Sequence, residues 1–152
     1  MIEQGCGNLL EADIEALVNT VNCVGVMGKG LALQFKQAFP DNFAAYKAAC
    51  KDGQINSGSI FVHITGKLLN PRYVMNFPTK RHWRDRSRRE DIQSGLRSLT
   101  SDVERLQIQA IAIPPLGCGL GGLDWGDVKP MIVDAFKELP QVRVVLFEPL
   151  VT

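Results

Sequence analysis

The chain has 152 residues, 45% hydrophobic and 22% charged, which fits one soluble globular domain and excludes disordered or fibrous protein. Seventeen Lys and Arg stand against sixteen Asp and Glu, so a net charge of +1 supplies no global field toward nucleic acid or membrane, and charged recognition must be local. No apolar run approaches the roughly 18 residues of a membrane helix, and Met1-Ile2-Glu3-Gln4 does not open like a signal peptide. Cys6, Cys23, Cys50 and Cys118 form no CxxC pair, which points to reduced thiols in a cytoplasmic protein rather than a disulfide framework or a zinc site.

In chain order, residues 16–21 (Ala-Leu-Val-Asn-Thr-Val) read as a short apolar strand running into Asn22 and the glycines Gly25, Gly28 and Gly30. A helix follows over 31–39 and stops at Pro40. Asp41 is placed to cap a second helix over 42–51, which Gly53 ends. Strands are expected over 59–65 and 72–77, joined through Gly66 and Asn70-Pro71. Residues 90–106 carry Ile92, Leu96, Leu99, Val103 and Leu106 at the three- and four-residue spacing of one helix face. A buried strand at 110–113 leads through Pro114-Pro115 into Gly117-Cys118-Gly119-Leu120-Gly121-Gly122. A helix over 127–139 and a strand over 142–147 complete the chain. This alternation predicts α/β layers in one compact unit, 1–152, without repeat or linker.

Both glycine clusters leave a strand and enter a helix, the place where open α/β sheets hold ligands and where helix N-termini attract anions. Glycine lets backbone approach a phosphate and adopt positive φ, so two such loops point to a diphosphate held between them; the bland alternative is a pair of tight turns. Gly28-Lys29-Gly30 lacks the Ser or Thr that follows a P-loop lysine. Gly117, Gly119 and Gly122 match GxGxxG, but late in the chain and with no second nucleotide-binding half, which leaves a Rossmann reading as the weaker one.

Residues 80–89 (Lys-Arg-His-Trp-Arg-Asp-Arg-Ser-Arg-Arg) hold six of the seventeen basic residues. Arg81, His82, Trp83, Arg84, Arg86 and Arg88 suit a single-stranded nucleic acid, where cations hold phosphates and a ring stacks on a base. The alternative is a solvated loop whose arginines pair with Asp85, Glu90 and Asp91. Lys80 follows a buried strand, so its backbone is anchored while its amine reaches the rim. An amine attacks carbon only when neutral, and burial or a cationic neighbour such as Arg81 is the usual means of activation; a surface lysine or a phosphate clamp is the other reading. His63, alternating within a strand, is more often a packed core residue. No Ser-His-Asp constellation and no metal-ligand spacing is present, and no metal or cofactor is expected.

The segments Gly7-Asn8-Leu9-Leu10, Leu17-Val18-Asn19-Thr20-Val21-Asn22, Gly25-Val26-Met27-Gly28-Lys29-Gly30-Leu31-Ala32 and Pro115-Leu116-Gly117-Cys118-Gly119-Leu120 together resemble the macrodomain pattern, in order and over nearly the whole chain. Within macrodomains the chain resembles the terminal ADP-ribose glycohydrolase-like class. The resemblance implies a three-layer α/β/α fold with a central mixed sheet and ADP-ribose in a cleft over the strand ends. It implies Asn8 and Leu9 at the adenine, where related proteins commonly carry Asp in place of Asn8. It places Asn22 at the distal ribose, Phe147 along the adenine pocket and Lys80 at the catalytic lysine. Two loops, Gly25, Val26, Met27, Gly28, Lys29 and Gly30, then Leu116, Gly117, Cys118, Gly119, Leu120, Gly121 and Gly122, would embrace that ribose and the phosphates.

One position departs from the related protein-deglycosylating enzymes: Gly121 stands where they carry an aspartate, and Asp124 is more naturally a helix cap. A DNA-linked substrate has less need of that carboxylate, because a nucleobase anion leaves more readily than an alkoxide. The implied activity is removal of ADP-ribose from thymidine in single-stranded DNA, as antitoxin to a DNA ADP-ribosyltransferase toxin. The toxin would be reached through a region outside this chain, and the domain is expected to be monomeric, with no membrane partner. The alternatives are a reader that binds ADP-ribose without cleaving it, or an enzyme acting on ADP-ribosylated protein or acetylated ADP-ribose.

Overall fold

The computed structural model describes residues 1–149. The strands are β1 (Ile2–Gln4), β2 (Ala16–Val21), β3 (Phe61–Ile64), β4 (Tyr73–Pro78), β5 (Ala110–Ile113) and β6 (Arg143–Leu146). The helices are α1 (Gly30–Ala38), α2 (Pro40–Lys51), α3 (Arg89–Arg105) and α4 (Trp125–Ala135). The strands form one sheet in the order β1-β6-β5-β2-β4-β3, parallel throughout except for the antiparallel pair of β3 with β4. This is the mixed sheet that the macrodomain resemblance implies.

Successive strand residues point to opposite faces, and the apolar clusters separate accordingly. Ala16, Val18, Met75, Phe77, Ile111, Ile113, Val144 and Leu146 pack against the stripe Ile92, Leu96, Leu99, Val103 of α3 and against Val128 and Ile132 of α4. Leu17, Val74, Ala112 and Val145, from the alternate positions, pack with Phe35 of α1 and with Phe39. Val21 meets Tyr46 and Ala49 of α2. The result is a three-layer α/β/α sandwich. Each fully buried Leu, Ile or Phe contributes about 1.5–3 kcal/mol, so the α3 stripe outweighs the ~1 kcal/mol cost of Gly95 within it. That glycine is required by packing: a Cβ there would run into the Phe77 ring.

Several boundaries differ from the sequence expectation for identifiable reasons. Asp41 does not cap α2: Phe39 holds the cap position, Pro40 fills the first turn, and Asp41 lies one residue inside. The last helix starts at Trp125 instead of 127, because the Asp124 carboxylate accepts the Gly126 N–H at 2.9 Å and caps it there. It ends at Ala135, short of Leu139. β1 was not anticipated; it adds the sheet edge by pairing Ile2, Glu3 and Gln4 with Val144, Val145 and Leu146. Because β1, β6, β5, β2 and β4 run parallel, the segments after each of them leave from one rim, where ligands of open α/β sheets bind. Among the described residues no helix is long and apolar enough to cross a membrane.

Candidate functional site

β2 delivers Asn22 to that rim, and Asn22 then draws the first glycine loop. Its Oδ1 accepts the N–H groups of Val24 (3.1 Å) and Val26 (3.3 Å), while its Nδ2 donates to the Val26 carbonyl at 2.8 Å. From α2, the Tyr46 hydroxyl shares its single proton between Asn22 Oδ1 (2.8 Å) and the Asn22 carbonyl (2.7 Å). Burial holds the Tyr46 pKa far above the ordinary phenol value, so it stays a neutral donor. Beneath lies a buried amide layer: Asn42 and Asn19 both donate to Asn76 Oδ1 (3.2 and 3.3 Å), and Asn76 donates back to Asn42 at 2.8 Å. Asn19 also reaches Met27 Sδ at 3.9 Å, and the Met27 side chain is buried in the core, so only its backbone can face a ligand. Gly25, at φ +90°, packs on Lys47 and Cys50. α1 begins after Lys29 without a side-chain cap, an arrangement that favours an anion at its first turn.

β5 delivers the second loop. Gly117, Gly119 and Gly122 have φ of +72°, +68° and +80°, and the Leu123 N–H returns to the Gly117 carbonyl at 2.9 Å. Leu116 is fully buried while Leu120 is exposed at the rim. The N-terminus of α4 that follows is occupied by Asp124, so any anion at this loop would rest on the arch itself rather than on the helix end. Burial raises the Cys118 thiol to about 11; Cys23 and Cys50 are also pushed up by burial, and all four cysteines are free.

Lys80 lies beside the first loop, two residues past the end of β4. Its N–H reaches the Val21 carbonyl at 3.4 Å, and the Cys23 thiol donates to its carbonyl at 3.7 Å, so its backbone is stitched to the first loop. Its amine, half-exposed, donates to the Trp83 carbonyl at 3.4 Å. The next residues turn toward the second loop: the Ser87 N–H donates to the Gly121 carbonyl at 2.9 Å, and Arg86 donates to the Gly122 carbonyl at 3.3 Å. A Cβ built on Gly121 would land on the Ser87 hydroxyl. A side chain at this position would require the Ser87 hydroxyl to move.

Within the basic segment the residues divide. Arg81 is not a free cation beside Lys80: its guanidinium makes two 3.2 Å bonds to the buried Asp91 carboxylate in the first turn of α3. Trp83 is 48% exposed and carries Arg84 over its ring, 5.0 Å from the centroid, with the His82 ring 5.2 Å away on centroids. His82 Nδ1 accepts the Arg84 N–H at 3.1 Å. Arg88 is exposed at the α3 cap position. His63 lies half-buried in β3, away from these groups in the sheet edge, and burial lowers its pKa.

At the far side of the rim, Asn8 Oδ1 accepts the Leu10 N–H at 3.0 Å and caps a single 3-10 turn at Leu9–Glu11. Leu9 is buried in the same cluster that Phe147, just after β6, packs against. Among the described residues, no group of three or more His, Cys, Asp or Glu side chains could hold a metal ion. Sequence reasoning missed Tyr46 and Ser87. Tyr46 shares a face of α2 with Asn42, four residues earlier, a spacing that could have shown it as inward-facing; Ser87, inside a run of arginines, carries no such signal.

A three-layer α/β/α sandwich with two glycine-rich arches over the ends of the adjacent strands β2 and β5 is the class of domain that this fold defines. The macro domain family model matches residues 18–132, and the chain belongs to that family. It is 57% identical over 143 residues to the Thermus aquaticus protein named DNA ADP-ribosyl glycohydrolase, covering 94% of this chain and 40% of that protein. From Thermosipho africanus come a DNA ADP-ribosyl transferase-DNA ADP-ribosyl glycohydrolase fusion protein, 33% identical (95% of this chain, 41% of that one), and a solved structure titled DarTG in complex with ADP-ribose. The latter is 34% identical, with a TM-score of 0.86, over 95% of this chain and 40% of that one. The solved macrodomain of Mycobacterium tuberculosis DarG is 53% identical with a TM-score of 0.97, covering 99% of both chains. The chain spans about two fifths of the length of the curated DNA ADP-ribosyl glycohydrolase relatives it matches.

Proposed function

We propose that residues 1–152 form a macrodomain that removes ADP-ribose from thymidine in single-stranded DNA, as the antitoxin to a DNA ADP-ribosyltransferase toxin in the cytoplasm. The observation that carries this reading is the position of Lys80: its backbone is bonded to the first glycine arch, the segment it opens reaches the second through Arg86 and Ser87, and its amine lies beside an exposed Trp-Arg platform. The chain is also more than half identical to a relative named for this activity. In this reading Asn8, Leu9 and Phe147 hold the adenine. The arches 25–30 and 116–122 hold the diphosphate and distal ribose, and Asn22 acts there through the loop it shapes. Trp83, His82, Arg84, Arg86 and Arg88 hold the flanking strand. Arg81 serves that strand by fixing the segment to α3 rather than by meeting a phosphate.

Lys80 acts at the anomeric carbon as a nucleophile, or as a cation that stabilises the departing thymine; borohydride trapping of a protein-bound sugar separates the two. The crowding of Gly121 by Ser87 supports a mechanism without a second carboxylate, which a nucleobase leaving group permits. Hydrolysis needs only water, so no cofactor enters, and the domain acts as a monomer, the toxin meeting a region outside this chain.

Lys80→Ala should abolish release of ADP-ribose from a modified oligonucleotide, while calorimetric affinity for free ADP-ribose stays within a few fold. Full turnover by the variant would end the assignment of Lys80. A wild-type domain that binds ADP-ribose but leaves the modified strand intact would be a reader.

A further inference from the structure

We propose that the groove between the first glycine loop and α2 is a second DNA contact. It takes the single-stranded nucleotides that flank the modified base on the side away from Trp83. The proposal rests on the reading of the substrate as single-stranded DNA and extends it to a surface that reading leaves unused.

The floor of the groove is apolar, formed by Phe43, Ala44 and the 45%-exposed Val24. Its walls are basic. Lys47 and Lys51 line it, with Lys47 Nζ 6.0 Å from the Phe43 ring centroid, and Lys36, outside the lining, brings its Nζ to 4.6 Å from the same ring. No carboxylate lines it, and none of these three lysines takes part in an ion pair among the described residues. An aromatic and aliphatic floor with unpaired ammonium groups at its edge matches a nucleic-acid strand, whose bases seek apolar faces while its phosphates seek cations.

The groove is also continuous with the cleft. A Cβ on Gly25 would sit 3.6 Å from Cys50 Cβ and 3.7 Å from Lys47 Cγ, so the first loop rests directly on the groove wall. Two residues earlier, the Cys23 N–H donates to the Arg81 carbonyl at 3.1 Å and its thiol to the Lys80 carbonyl. Lys80 therefore has a surface of the same chemistry on either side: Trp83 with Arg84 in its own segment, and Phe43 with Lys47 across the first loop. A strand whose modified base lies at Lys80 sends its ends in two directions, and the segment 81–88 serves only one of them.

The test uses the domain with single-stranded oligonucleotides ADP-ribosylated on one thymidine, either flanked on both sides or truncated on the 5′ or the 3′ side. The variants are Lys47→Glu with Lys51→Glu, and Phe43→Leu. For the fully flanked substrate the charge reversal should raise KM about tenfold at unchanged kcat. The slope of log affinity against log salt should fall by about 1.4, the value for two lost single-strand phosphate contacts. For one of the two truncated substrates the variant and the parent should be indistinguishable, and calorimetric affinity for free ADP-ribose should not change. An equal KM effect on every substrate, or none on any, overturns the proposal, and the second result would mark the groove as a protein-docking face. A parent domain that releases no ADP-ribose from any of these strands fails at the earlier step, the substrate itself.

Discussion

In the first glycine loop the turn is drawn by polar side chains beneath it: Asn22 ties Val24 and Val26, Tyr46 ties Asn22, and Asn19 reaches Met27. In the second, backbone geometry and the absence of side chains do the same work. Gly117, Gly119 and Gly122 sit at positive φ, and Ser87, Leu123 and Arg86 close in where a Cβ would be. The helix ends differ in the same sense, uncapped after Lys29 and capped by Asp124. Two loops that look alike in sequence, and leave neighbouring parallel strands, should thus fail for opposite reasons. The first, strained by an added atom only at Gly25 and Gly30, is the more sensitive to loss of a hydrogen-bonding group, and the second to an atom added where neighbours crowd it.

The largest effect is expected at Gly117. Its φ of +72° and a built Cβ only 2.7 Å from Leu123 Cδ1 and 3.1 Å from Ser87 Cβ combine backbone strain with overpacking. Gly117→Ala should cost roughly 2–4 kcal/mol in urea unfolding. Gly28→Ala in the first loop is the contrast: the nearest atom to its Cβ is Val26 Cγ1 at 3.5 Å and its φ is not positive, so stability should move by no more than about 0.5 kcal/mol. Equal costs at the two glycines would break the comparison.

Next comes Asn22→Ala, which strips the acceptor from two amides and one of the two acceptors offered to the Tyr46 hydroxyl. Leaving such groups unpaired should cost about 1–3 kcal/mol, and calorimetry should show weaker ADP-ribose binding than for Gly28→Ala. A variant that loses stability but keeps full affinity would separate the loop's shape from the ligand.

Much of this was legible in the chain, because apolar runs bounded by glycine and proline report burial directly. The strand 16–21, the α3 stripe and both arches are found where the spacing places them. β1 was not legible: three residues are too few for any period, and its pairing with β6 spans the whole chain. The run 81–88 was legible as basic but not as divided. Asp85, Glu90 and Asp91 are all near enough in sequence to pair with arginines. Only the first turn of α3 decides that Asp91 faces Arg81. Helical spacing could show that Tyr46 points inward, but not that it meets Asn22, which is supplied by the register of a distant strand end.

The smallest effect sharpens the second loop to a single contact. Ser87 is 6% exposed and its hydroxyl makes no hydrogen bond to the described residues, so little is lost with it. Ser87→Ala should therefore leave stability unchanged or raise it by up to about 1 kcal/mol, since the bond to Gly121 is made by the Ser87 backbone N–H and survives. Gly121→Ala alone should cost about 1–3 kcal/mol through the clash with that hydroxyl. With the hydroxyl gone the new methyl still faces Ser87 Cβ at 3.0 Å, so relief is partial and the pair should couple by on the order of 1 kcal/mol. Additive costs in the double variant would mean that Gly121 is glycine for another reason than Ser87, and that the room for a carboxylate there is limited elsewhere.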